Sequence, residues 1–83
     1  MASVTLRREA AEQLGRLPER IKSRVTAIIE RLGRWPEVSG AKPLRGKLAG
    51  RYRIRTGDYR LQFRVRGDEV IIERMGHRGR FYD

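Results

Sequence analysis

The stretch Met75-Gly76-His77-Arg78-Gly79-Arg80-Phe81-Tyr82 brings a histidine, two arginines and a tyrosine together at the end of the chain. Chemistry on RNA needs a group to take the 2′-hydroxyl proton, cations for the charge developing around phosphorus, and an aromatic ring to hold a base out of its stack. Histidine is the residue type whose ordinary pKa lies near neutrality, and His77 is the chain's only one. It reads either as that base or as a strand-end histidine satisfied by backbone groups. Phe81 reads as core, and Tyr82 as either a stacking platform or a packing residue.

Upstream, arginine alternates with apolar residues through Arg51-Tyr52-Arg53-Ile54-Arg55, and the pattern resumes after Gly57-Asp58 at Tyr59-Arg60-Leu61-Gln62-Phe63-Arg64. Between Arg45 and Arg66 there are eight basic residues, and only Asp58 offsets them. A merely solvated face would intersperse the two signs. Of the 20 basic residues in the chain, 17 are arginine, whose planar fork matches phosphate oxygens two at a time and stacks on bases. The expectation is phosphate binding.

The rest of the composition narrows the possibilities. A chain of 83 residues is read as a single domain spanning 1–83, with one modest core, and its net charge of +10 points to a polyanionic partner. With no cysteine there is no disulfide framework, thiol nucleophile or cysteine zinc site, and one histidine cannot build a metal site with its own kind. No metal or cofactor is expected. The first residues lack the apolar core of a signal peptide, and no run of about 18 apolar residues occurs. A cytoplasmic protein with no membrane partner is the corresponding expectation.

The elements that must position these residues follow from periodicity. Ala2 to Leu6 alternates and reads as a first or edge strand. Ala10, Ala11, Leu14 and Leu17 recur at helical spacing until Pro18, which suits the first turn of a second helix. That helix carries Ile21, Val25, Ile28, Ile29 and Leu32 as one stripe and ends at Gly33, while its basic face of Arg20, Lys22, Arg24 and Arg31 reads as solvated. Residues 34–49, with Pro36, Gly40, Pro43 and Gly46, read as a connecting loop, and Trp35 as a lid on the core.

Gly57-Asp58 suits a two-residue hairpin turn, so the register can be worked out. Pairing Thr56 with Tyr59 sets Arg55 opposite Arg60, Ile54 opposite Leu61, Arg53 opposite Gln62, Tyr52 opposite Phe63 and Arg51 opposite Arg64. A second turn at Gly67-Asp68 pairs Arg66 with Glu69, with Val70 and Ile72 on the apolar face and Ile71, Glu73 and Met75 on the basic one. The expected architecture is α+β, β-α-α-β-β-β, a small antiparallel sheet with two N-terminal helices packed on one face. The like-charged pairs 51:64 and 55:60 weaken such a sheet, so their presence asks for a function.

The segments Lys42-Pro43-Leu44, Gly46-Lys47-Leu48-Ala49-Gly50, Arg51-Tyr52-Arg53-Ile54-Arg55, Gly57-Asp58-Tyr59-Arg60 and Gly76-His77-Arg78, followed by Tyr82, resemble the RelE branch of the RelE/ParE toxins. They span about half the chain, and the β-α-α-β-β-β reading agrees with that fold. The resemblance implies the toxin of a type II toxin–antitoxin pair, a ribosome-dependent endoribonuclease that cuts messenger RNA in the A site of the small subunit and leaves a 2′,3′-cyclic phosphate. It also implies a cognate antitoxin, contact with ribosomal RNA, and operator DNA binding by the complex through the antitoxin.

Carried over to this sequence, the family's functional positions fall on Arg53, Arg55, Arg60, Arg78 and Tyr82. The first two are lysines in the best-known member. An arginine stays protonated and cannot serve as an ordinary base, so Arg53, Arg55 and Arg60 are expected to hold the scissile phosphate, with Arg78 near the leaving 5′-oxygen. Proton removal is left to His77, Tyr82 or the ribosome, with Glu73 a weaker candidate. Lys47, Arg51 and Arg64 are expected to bind RNA around this centre. The alternatives are a ParE-like inhibitor of DNA gyrase acting by protein contact, and a non-catalytic RNA-binding module.

Overall fold

A computed structural model of the chain describes residues 2–80. Strand β1 (Ser3–Leu6) leads into helix α1 (Arg8–Gly15), which Leu17-Pro18 separates from α2 (Glu19–Leu32). After a connection come β2 (Lys42–Pro43), β3 (Arg51–Thr56), β4 (Tyr59–Arg66) and β5 (Glu69–His77). Short 3-10 turns occupy Gly46–Leu48 and Arg78–Arg80.

The strands form one five-stranded sheet in the order β1-β5-β4-β3-β2. The α+β reading with two N-terminal helices holds, and β3, β4 and β5 are antiparallel as expected. The sheet as a whole is mixed, because β1 runs parallel to β5, from Ser3 beside Glu69 to Leu6 beside Ile72. Alternation along β1 reports which face is buried but carries no information on strand direction. The 34–49 connection also contributes β2, whose Lys42 and Pro43 pair with Arg53 and Tyr52. Two residues are too few for a period, and a proline is at home on an edge strand.

One cluster forms the core. Ala10 of α1 and Ile21, Val25, Ile28 and Leu32 of α2 pack on Ile54, Leu61, Phe63, Val70, Ile72 and Met75, so both helices lie on one face of the sheet. Trp35 closes this core, with its ring edge-on to Tyr52 at 4.8 Å and to Phe63 at 5.4 Å. The two hairpin turns carry Gly57 and Gly67 at φ 59° and 58°, a backbone shape that glycine adopts at little cost.

The β3–β4 register is the expected one at all six pairs. The β4–β5 register shifts by one residue between Gln62 and Phe63: Phe63 faces Ile72 while Gln62 faces Arg74. Glu73 is the extra residue of a β-bulge. The expectation that Met75 lies on the basic face is therefore corrected. It faces Leu61 and is buried at 1% exposure, because the bulge turns the second half of β5 over. Strict alternation would have driven Arg74 into the core beside Val70 and Ile72, at a cost in desolvated charge that the bulge avoids.

Candidate nucleic-acid interface

The face of the sheet opposite the helices carries Arg51, Arg53 and Arg55 from β3, and Arg60, Gln62 and Arg64 from β4. Register divides these residues into two groups. At the hairpin end, exposed Arg55 faces Arg60, and Arg60 faces Gly76 on β5. Arg60 is only 7% exposed, and Gly76 contributes no side chain to crowd it. Arg78 is fixed at the same end: its N–H donates to the Asp58 carbonyl at 2.7 Å, and its Nε lies 3.8 Å from Asp58 Oδ1. The β3–β4 turn thus anchors the segment that follows β5.

At the far end, Arg51 faces Arg64, and Glu73 reaches between them from the bulge. Arg51 Nε donates to Glu73 Oε1 at 2.7 Å, and Gln62 Nε2 donates to the same oxygen at 3.0 Å. Arg64 Nε and Arg7 Nη2 lie 3.8 Å and 3.7 Å from Oε2. Burial pushes the Glu73 carboxyl up, but the hydrogen bonds from Gln62 and Arg51 and the charges of Arg51 and Arg7 outweigh it. The group is held below the usual glutamate range. A carboxylate so stabilised accepts a proton less readily than an ordinary glutamate. Arg53 lies half-buried between the groups, flanked by Lys42 and Gln62. Lys47 is exposed in the 3-10 turn just before Arg51.

His77 is not brought to this face. It pairs with Tyr59, whose neighbours in register lie on the helix side, and the two rings meet edge-on at 5.4 Å. The Gly79 N–H donates to His77 Nδ1 at 3.1 Å. In a neutral ring that bond occupies the one basic lone pair and leaves the hydrogen on Nε2. Both observations match the strand-end reading of His77. It lines a groove of about 740 Å³ with Tyr59, Glu9, Gln13 and Arg16, where Gln13 Oε1 accepts the Met75 N–H at 2.7 Å. Tyr82 lies outside the described residues.

Two members of the polar face escaped the sequence reading, Arg7 and Arg74. Arg74 Nε donates to Gln62 Oε1 at 3.4 Å. A signal for it existed: alternation along Val70-Ile71-Ile72-Glu73-Arg74-Met75 buries a charge and exposes a methionine, a conflict that an extra residue resolves. Arg7 could not be placed, because it sits beyond β1 and its position depends on the parallel pairing.

The architecture fits the family expected from sequence. A family model described as the ParE toxin of the parDE type II toxin–antitoxin system matches residues 4–82. The toxin RelE3 of Methanocaldococcus jannaschii is 35% identical over 75 residues, 87% of this chain and 85% of its own. The chain belongs to the RelE/ParE toxins, in the RelE branch. The toxin RelG of Mycobacterium tuberculosis is 39% identical over 79 residues, covering 88% of this chain and 86% of its own. The toxin–antitoxin complex RelBE2 of the same organism contains a chain with TM-score 0.81 and 35% identity, over 92% of this chain and 96% of that one. This RelE-family protein is thus a type II toxin.

Proposed function

We propose that this RelE-family toxin is an endoribonuclease that cuts messenger RNA in the ribosomal A site. The 2′-oxygen attacks the adjacent phosphorus, the bond from phosphorus to the 5′-oxygen breaks, and a 2′,3′-cyclic phosphate and a 5′-hydroxyl remain. Arg55 and Arg60, with Arg53 beside them, hold the scissile phosphate and stabilise charge in the transition state; Arg78 stabilises charge on the leaving 5′-oxygen, which takes its proton from water. The 2′-hydroxyl proton passes to Tyr82 or to a group of the ribosome, and Tyr82 stacks on or orients the base. His77 has no part in this scheme. Lys47, Arg51 and Arg64 bind RNA outside the scissile link.

The observation that carries this reading is the cross-strand pair Arg55–Arg60 beside an Arg78 tethered to the Asp58 turn. Opposed like charges weaken a sheet, and a phosphate between them reverses the sign of that interaction. A charge of +10 suits the RNA-rich A site, and that activity belongs in the cytoplasm. The relative found in a toxin–antitoxin complex supports a cognate antitoxin here; the charge of this chain suits an acidic antitoxin segment over part of the arginine face, with operator DNA bound through the antitoxin.

The ParE name of the family model keeps gyrase inhibition as the second reading. Mapping the 5′ ends of cellular messages after induction tests both. Codon-phased cuts are expected; DNA breaks with intact messages would transfer the protein to the gyrase class, and neither would leave a non-catalytic binder.

A further inference from the structure

We infer that Arg7, Arg51 and Arg64, braced by the bulge residue Glu73, form a second phosphate clamp that grips the RNA backbone away from the scissile link. This rests on the RNA-binding reading above and assigns Glu73 as a positioning residue, with Arg7 as a new contact.

Three guanidiniums lie within 4 Å of a single carboxylate, at 2.7, 3.7 and 3.8 Å. One anion cannot neutralise three cations, so the cluster keeps a surplus of positive charge. It is also short of acceptors, since Arg64 Nε is buried with no hydrogen-bond partner. Arg7 holds the N-cap position of α1, yet its side chain makes no capping bond and is turned toward Glu73 instead. Each arginine keeps part of its side chain exposed, 51% for Arg7, 28% for Arg51 and 30% for Arg64, over a Glu73 that is 8% exposed. The carboxylate lies beneath and the cations above it. Arg51, spending one donor on Glu73, keeps four for an oxyanion, already oriented.

The separation from the first group has a consequence. Arg64 is four residues along β4 from Arg60, roughly 13 Å at the usual strand rise. One internucleotide link cannot reach both ends, whereas a single strand of several nucleotides lying along the face can. The two groups then read as consecutive grips on one extended strand, the one at the hairpin turn holding the reacting phosphate and the other fixing its register.

The test uses the full-length toxin and uncleavable 2′-O-methyl oligoribonucleotides of two and of six nucleotides, titrated by fluorescence anisotropy at several salt concentrations. Wild type is expected to bind the longer probe more tightly and with a steeper salt dependence. Arg64→Ala and Arg7→Ala should each flatten the six-nucleotide slope by about 0.7, one phosphate's worth on a single strand. Arg7→Ala alters an exposed side chain and keeps the test valid should a change at Arg64 disturb folding.

Glu73→Gln separates brace from neutraliser, because it adds a positive charge to the face. A brace predicts severalfold weaker binding of the long probe and a raised half-saturating message concentration with an unchanged cleavage plateau. Tighter binding at every salt concentration would overturn the brace, and unchanged long-probe slopes in Arg64→Ala and Arg7→Ala would overturn the clamp. Wild type failing to bind either probe would instead strike the RNA-binding reading itself.

Discussion

At the scale of single residues, burial separates the arginines of the polar face. Arg60, at 7% exposure, lies among neighbours that restrict its motion, while Arg78 is more than half exposed and is held through its backbone. Arg78→Ala should leave the melting temperature nearly unchanged and lower messenger cleavage by about 100-fold or more, the usual effect of removing one preorganised donor. Undiminished cleavage and growth arrest in that variant would end the mechanism. His77→Gln should cleave normally, since the ring faces the groove on the helix side and its Nδ1 is occupied. A fall of about 100-fold together with a lost pH dependence would return the base to His77. Glu73 supplies a stability signature. Its folded pKa is depressed, so its contribution is fully present above the ordinary glutamate value of about 4.5 and is lost as pH falls through the lowered folded value. Wild type should lose melting temperature on acidification below about pH 4.5, and Glu73→Gln should lose less over that window. Coincident acid limbs in the two proteins would remove Glu73 as the cause.

At the scale of elements, the bulge in β5 is the device that reconciles core and polar face. It lets Ile72 and Met75, three residues apart, share the apolar side, and it puts Glu73 and Arg74 together on the other. Deleting Glu73 should therefore keep both sets of side chains on their own faces, since a regular ladder then runs from Ile72 opposite Phe63 to Arg74 opposite Gln62. Such a variant is expected to melt cooperatively but with stability lowered by about 1–3 kcal/mol, the usual cost of leaving buried donors without their acceptor. Deleting Gln62, one strand away, flips Leu61 relative to Phe63 and should abolish folding. Thermal circular dichroism of the two deletions compares them directly; equal damage would mean that the bulge is not a register device.

At the scale of the whole molecule, one small core supports everything. Phe63, fully buried, stacks on Tyr52 at 5.5 Å and meets Trp35 at 5.4 Å, linking the sheet to the segment after α2. Phe63→Ala should cost about 3–5 kcal/mol, a large share of the total stability of a small domain. The variant should be largely unfolded at 37 °C by near-ultraviolet circular dichroism; a native-like melt would mean that the core has reserves the packing does not show. The same thin core makes the arginine face costly to maintain, and a covering partner or a bound phosphate would offset that cost.

Local patterns were enough to determine the helices, their break at Pro18, the β3–β4 hairpin with its register, and the arginines that line one side of it. Each depends on residues close in sequence: a period of 3.6 or 2, a proline that forbids the preceding turn, a glycine that permits a positive φ. Only tertiary structure decided that β1 runs parallel to β5, that Arg7 thereby reaches Glu73, and that β5 bulges so Met75 is buried and Arg74 is not. Those outcomes come from competition between distant segments for one apolar face and one carboxylate. No local preference encodes such a competition, because its energy exists only once the strands are side by side.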